Sequence, residues 1–476
     1  MRATLRQLQA AVNGSQLHAV GSQANTSLEI EITGLTTDSR KVKAGDLFIA
    51  LRGEHFDAHD FLHDVVSKGA AAVVVDHLPA DVSGSEFKVP ALIVPNTLTA
   101  LQEIGRYWRQ QFTLPVIAVT GSNGKTTVKE MIASILNTYV GTEHNLATNG
   151  NLNNEIGVPL TVLRLTETHR TAVFELGMNH PGEIAVLASI AQAMVALVNN
   201  AQREHQEFMQ TVQAVAEENG MVLRQLPADG IAVFPADDMY SDLWRNYATE
   251  SGQRKIVSFG LSEDADVSAT YVAQTFGSEL QMRIGANRFT VKLAAAGIHN
   301  IRNALAAAAC CHSIGVPNDI IALGLQAFSP VNGRLQNKQA HNGATIIDDT
   351  YNANPDSVRA AIAVLAEQTN KNNEDHILVL GDMGEVGDEG IAFHEEIGNY
   401  ARESGISSLL TLGDLAKYVA DAFGSGAQHF DDVDALCATL DTLIHPHSTV
   451  LIKGSRFMKM ERVVAHLTKQ QTIGSH

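Results

Sequence analysis

The chain has few cysteines, little basic charge and no long apolar run. Its three cysteines, Cys310, Cys311 and Cys437, make no disulfide framework and show no metal-ligand spacing, so they read as small core residues of a protein from a reducing compartment. Lys and Arg total 34 against 52 Asp and Glu, a net charge of −18 that argues against non-specific nucleic-acid binding, which needs clustered cations on the phosphates. A specific anionic ligand can still bind in a local site. No uninterrupted apolar stretch reaches about 18 residues, and the opening MRATLRQLQAAV lacks the apolar segment of a secretion signal. The expectation is a cytoplasmic protein without membrane insertion.

What the sequence does have is a phosphate cradle. Pro115 to Thr120 reads as a buried strand, and Val128, Met131, Ile132, Ile135, Leu136 and Tyr139 recur at helical spacing. Between them lies Thr120-Gly121-Ser122-Asn123-Gly124-Lys125-Thr126-Thr127. The glycines let backbone N–H groups close around phosphate oxygens, the helix start adds partial positive charge, and Lys125 can reach the outer phosphates. Thr126 is then placed to offer a hydroxyl to Mg²⁺. A standard Walker A loop would carry glycine at position 119, which is Val119, so only two residues separate the glycines here.

A length of 476 residues with 45% hydrophobic and 18% charged residues suggests a globular protein of two to four domains. The patterning divides it at about 1–95, 96–328 and 329–476, each α/β. The central module is expected to be a P-loop ATPase-like domain on a mostly parallel sheet, and the C-terminal one Rossmann-like. Polar residues follow apolar strand patterns at Glu175, Asn199-Asn200, Asp349, Gly381-Asp382 and Lys453-Gly454. In doubly wound sheets ligands sit beyond such ends, which directs Glu175 and the nearby His205 toward the side of Lys125. Asn300 and Asn303, three apart, share one helix face.

The shortened loop, with threonine before its first glycine, resembles the ATP loop of the Mur ligase family, which joins an amino acid or peptide to a carboxylate at the expense of ATP. The resemblance extends over all three modules. It covers Asp38-Ser39-Arg40, Thr148-Asn149-Gly150-Asn151-Leu152-Asn153-Asn154 and His299-Asn300-Ile301-Arg302-Asn303. It continues through Gly333-Arg334-Leu335, Asp348-Asp349-Thr350-Tyr351-Asn352-Ala353-Asn354-Pro355 and Lys453-Gly454-Ser455-Arg456. These last strings are similar to the branch that adds D-alanyl-D-alanine to UDP-N-acetylmuramoyl-tripeptide through an acyl phosphate, an acid–D-amino-acid ligase acting in peptidoglycan precursor synthesis.

The resemblance implies ATP and Mg²⁺ as cofactors. It implies Thr120 to Thr127, Asn300, Asn303, Arg334 and Asp349 at the nucleotide, and Thr126, Glu175 and His205 at the metal. Ser39 and Arg40 are implied at the uridine diphosphate, Asn151, Asn153 and Asn154 at the muramoyl peptide, and Tyr351, Asn352 and Asn354 at the dipeptide. Lys125, His205 and Arg334 would be the catalytic side chains. A monomer is expected. Another ATP-dependent ligase of the superfamily, or a nucleotide-sensing P-loop regulator, stays open as an alternative.

One position departs from the family pattern. Many Mur ligases carry, after the histidine matching His205, a lysine carbamylated by CO₂ that helps hold a second Mg²⁺. Asn219 stands there, and no lysine occurs between Lys129 and Lys255. The second metal is then expected on Glu218 or, through water, on the Asn219 amide. Activity should accordingly be the same in CO₂-free buffer as with added bicarbonate; reversible loss on removing CO₂ would reveal a carbamate elsewhere.

Overall fold

The computed structural model describes residues 1–19, 27–78, 88–252, 254–274, 276–368 and 375–468. Three larger sheets organise the described residues, beside a two-stranded pairing of Ala3–Thr4 with Glu31–Ile32. The first runs in the order Gln16–His18, Ala91–Ile93, Ala72–Val75, Asp46–Ile49, Gly34–Thr36, parallel except for its first pair. The third runs Gln336–Gln339, Thr345–Asp349, Thr449–Lys453, His376–Gly381, Ser408–Leu412, Ala427–Phe430, again with only the first pair antiparallel.

The nine-stranded middle sheet carries the phosphate loop. Strand Val116–Thr120 lies between Val195–Val198 and Thr171–Glu175, parallel to both. All three are buried at every residue, which is why they read as unbroken apolar runs and not as alternating ones. From Val116–Thr120 the chain goes first to Asn145–Ala147 on one side and later to Val195–Val198 on the other, so this strand is the topological switch point. Helix Lys125–Val140 buries Val128, Met131, Ile132, Ile135 and Leu136 against it. Tyr139, expected on that face, is instead 43% exposed, as the penultimate residue of the helix.

The α/β reading holds throughout, with one extension that the mostly parallel expectation left out. Val267–Gln274, Gly277–Ile284 and Asn287–Leu293 form an antiparallel meander at the edge of the middle sheet. The signal was there: Ser278, Leu280, Met282 and Ile284 are buried in strict alternation, and Gly285 at φ +57° makes the turn to the last strand. Among the described residues no helix is long and apolar enough to cross a membrane.

Helix Asn318–Ala327 crosses helix Lys125–Val140 at Gly324, where a Cβ would stand 2.4 Å from Ile135 Cα. Backbone cannot yield as a side-chain tip can. Gly324→Ala should therefore destabilise by about 1–3 kcal/mol despite alanine's better helix propensity. A drop in melting temperature checks it, and an unchanged or raised value would refute the close approach.

Candidate active site

The phosphate loop opens into a cavity of about 710 Å³ lined both by the middle domain and by the third. Gly121 and Gly124 adopt φ of +129° and +80°, and a Cβ on Gly124 would lie 2.6 Å from Asn303 and 2.9 Å from Asn199. Only glycine fits both the conformation and the space. Asn200 Oδ1 accepts from Asn123 N (2.9 Å), while Asn199 Nδ2 donates to Asn123 O (2.8 Å) and to Asn303 Oδ1 (3.0 Å). Asn303 Nδ2 in turn donates to Asn300 Oδ1 (3.2 Å), so the two asparagines on one helix face join the wall.

Beside the loop, Thr126 Oγ1 donates to Glu175 Oε1 (3.0 Å) and accepts from Arg334 Nη2 (2.9 Å). Asn153 Nδ2 also donates to Glu175 Oε1 (2.8 Å), whereas the buried Glu175 Oε2 has no partner among the described residues. Lys125 is turned back, its Nζ on the carbonyls of Gly121 (2.6 Å) and Ser122 (3.0 Å) and on Glu204 Oε1 (2.6 Å). Arg334 stacks over Tyr351 at 4.1 Å. Asp349 and Lys453, paired in register at the ends of adjacent strands, form an ion pair at 2.5 Å; burial pushes the Asp349 carboxyl up, against the pull of Lys453. Lys453 Nζ also donates to the carbonyl of Asn352 (2.8 Å).

Most of the expected residues thus meet: Ser122 to Thr127, Asn151, Asn153, Asn154, Glu175, His205, Asn300, Asn303, Arg334, Asp349, Tyr351, Asn352 and Asn354 all line this cavity. Thr120 and Gly121 do not. Thr120 is fully buried, its hydroxyl donating to Asn219 Oδ1 (2.5 Å), which also accepts from Gly121 N (3.0 Å). Ser39 and Arg40 lie outside too, in the first domain, where the largely exposed Arg40 pairs with Asp38 at 2.8 Å.

The two side chains expected at a second metal have other partners. Asn219's oxygen is spent under the loop and its orientation is fixed by a backbone N–H, leaving only a donor, Nδ2, free. Glu218 caps a helix start, accepting from Gly182 N (2.9 Å) and Ile184 N (2.8 Å). Around His205 burial works against its charge, but Glu204 and Glu385 outweigh that and push its pKa up to about 9.

Three family models match successive stretches of the chain: the Mur ligase family catalytic domain over residues 31–109, the Mur ligase middle domain over 119–311, and the Mur ligase glutamate ligase domain over 333–456. The chain belongs to the Mur ligase family. It is 40% identical to the UDP-N-acetylmuramoyl-tripeptide–D-alanyl-D-alanine ligase of Escherichia coli (strain K12), over 97% of this chain and 99% of that one. A crystal structure of MurF from Acinetobacter baumannii superposes with a TM-score of 0.89 at 35% identity, covering 98% of this chain and 99% of that one. The MurF ligase of Thermotoga maritima, solved in complex with ADP, gives 0.80 at 26%, covering 92% and 97%.

In this Mur ligase the third domain is drawn onto the second by a charged clasp that sequence reasoning missed. Arg203 donates to both oxygens of Asp356 (shortest 2.6 Å) and to both of Glu396 (2.6 and 3.1 Å), and lies 5.2 Å over the Phe393 ring. Asn354 Nδ2 reaches across to Asn123 Oδ1 (2.9 Å), and His205 Nδ1 contacts Glu385 at 2.5 Å. Asn354 also caps helix Pro355–Glu367 with proline at its first turn, so one residue serves as cap and as domain contact.

Hydrogen bonding to Arg203 holds the Glu396 carboxyl below its ordinary value. A lowered acid contributes stability fully above its unfolded pKa, near 4.3, and loses it as pH falls through the lowered value. Arg203→Ala should cost the closed arrangement about 1–3 kcal/mol, the pairs being partly exposed. Small-angle scattering should show a larger radius of gyration for the variant at neutral pH, and for the wild type only on acidification below about pH 4. Equal radii at neutral pH would remove the clasp.

Proposed function

We propose that this Mur ligase joins the amine of D-alanyl-D-alanine to the terminal carboxylate of UDP-N-acetylmuramoyl-tripeptide, converting ATP to ADP and phosphate, at the last cytoplasmic step of peptidoglycan precursor synthesis. The observation that carries this reading is the single cavity shared by the phosphate loop and the Tyr351-Asn352-Ala353-Asn354-Pro355 turn, in a chain alike along its whole length to ligases of that name.

A carboxylate cannot expel oxide, so the leaving group must be improved first. A carboxylate oxygen of the tripeptide attacks the γ-phosphorus of ATP, the bond to the β-phosphate oxygen breaks, and an acyl phosphate results. The dipeptide amine then adds to the acyl carbon, loses a proton, and the carbon–oxygen bond to phosphate breaks. Both partners of the first step are anions, so the protein's task is positioning and charge neutralisation.

Lys125 and the start of helix Lys125–Val140 meet the outer phosphates in this reading, with Arg334 joined to the same place through Thr126. Asn300 and Asn303 serve the adenine side and Asp349 the ribose. Mg²⁺, when bound, supplies further neutralisation of the phosphates, and Thr126 and Glu175 would hold it, joined by His205 once the imidazole gives up the proton that Glu204 and Glu385 favour. The unpartnered buried oxygen of Glu175 fits that role, because such an oxygen is costly unless something cationic arrives. The first domain, residues 1–95, takes the uridine diphosphate end through Ser39 and Arg40. The middle domain, 96–328, takes ATP and, through Asn151, Asn153 and Asn154, the peptide. The third, 329–476, brings the dipeptide through Tyr351, Asn352 and Asn354. Closure by the third keeps water from the acyl phosphate.

The test is phosphate release from ATP with each substrate omitted in turn. Sustained release should require the tripeptide nucleotide and D-alanyl-D-alanine together, and Lys125→Ala should lower it by about 10³-fold. Steady hydrolysis of ATP alone would point instead to a nucleotide-sensing regulator, and equal turnover with single amino acids to another ligase of the family.

A further inference from the structure

Glu204 has no part in the mechanism above, yet it is built into the site. It is only 9% exposed, lines the cavity, and places Oε1 2.6 Å from Lys125 Nζ and 3.4 Å from His205 Nε2. Its buried Oε2 has no partner among the described residues. The three donors of the Lys125 ammonium are all engaged, on two carbonyls of its own loop and on Glu204.

For Lys125 to reach a phosphate it has to leave these partners. The carbonyls of Gly121 and Ser122 lose a hydrogen bond, but Glu204 loses the counter-ion that makes its burial tolerable. A cation must take the place of the ammonium, and a nucleotide triphosphate enters with one. Glu204 holds Lys125 while Glu175 holds the adjacent Thr126, so two carboxylates with one free buried oxygen each flank consecutive residues of the loop. Oxygen donors of this kind suit a hard divalent ion. Asn219 and Glu218 are both committed elsewhere.

We infer that Glu204 is a divalent-cation ligand of the nucleotide-bound site, and that it exchanges Lys125 for that cation when the nucleotide enters. In the empty enzyme it parks the lysine away from the phosphates; in the loaded enzyme it adds the negative charge that holds the metal. The inference rests on the ATP-dependent reading of the cavity.

Titration of Mn²⁺ onto the enzyme with the β,γ-imido analogue of ATP, followed by electron paramagnetic resonance, tests it without turnover. Glu204→Gln should lose one equivalent of bound Mn²⁺ or weaken it at least tenfold, while the analogue in EDTA binds as tightly as to wild type or more tightly, since Lys125 is released. Wild-type Mn²⁺ stoichiometry and affinity in the variant would overturn the inference. A crystal of the wild type with Mn²⁺ and the same analogue provides a reading independent of any variant's folding. An anomalous peak in contact with Glu204 is expected, and peaks confined to Thr126 and Glu175 would overturn it. Should the wild type itself fail to bind the analogue, the ATP-dependent reading falls and this inference with it, whereas binding of the analogue without a metal at Glu204 overturns this inference alone.

Discussion

A loop shaped for phosphate is, without phosphate, a ring of inward donors around a half-buried ammonium, and much of the structure around residues 120–127 exists to make that ring tolerable. Asparagine is the recurring answer because its amide gives and accepts at once. Asn219 supports Thr120 and Gly121 from below, Asn200 receives the N–H of Asn123, and Asn199 spans Asn123 and Asn303. These partners come from two other segments of the middle domain, so the loop's conformation is over-determined. That is what allows Gly121 and Gly124 to keep backbone angles that strained residues could not.

The same economy appears in three consecutive residues after strand Val195–Val198. Arg203 joins the third domain to the second, Glu204 holds the loop lysine, and His205 touches both Glu204 and Glu385 of the third domain. Domain closure and the state of the phosphate loop are therefore coupled through one short stretch of backbone. His205 sits at φ +49°, a left-handed angle uncommon for a residue with a side chain, at the point where the stretch enters helix Gln206–Met209.

How far the site could be read from sequence follows from what each residue's neighbours look like. Glu175 and Asp349 end strands that are buried almost throughout, where a carboxylate is conspicuous because it is expensive, and both are in the cavity. The helix after the loop declared itself by period, and the edge meander could have done so by alternation. Arg203 and Glu204 gave no such sign, because charged residues on a connecting loop look solvated until a partner is found about 80 to 190 positions away in sequence. Thr120 and Asn219 mislead for the reverse reason. A motif predicts which residues cluster, but burial decides which of them face the ligand, and these two, 99 positions apart, satisfy each other beneath it.

An acidic protein that must gather anionic substrates has to husband its cations, and the cavity wall does so unevenly. Lys125 is paired with Glu204, Arg203 with Asp356 and Glu396, Arg302 with Asp237, Lys453 with Asp349 and Arg456 with Glu461. Arg334 differs: its contacts are the Thr126 hydroxyl and the Tyr351 ring, its Nε is buried without a hydrogen-bond partner, and no ion pair of it occurs among the described residues. A phosphate can therefore meet Arg334 without displacing a carboxylate, whereas it can meet Lys125 only after an exchange. Arg334 belongs to the third domain and reaches the loop only when that domain is closed. Charge captured by Arg334 thus favours closure, and closure brings Glu385 to His205 beside the Lys125–Glu204 pair, so that the exchange at Lys125 is linked to the shutting of the site.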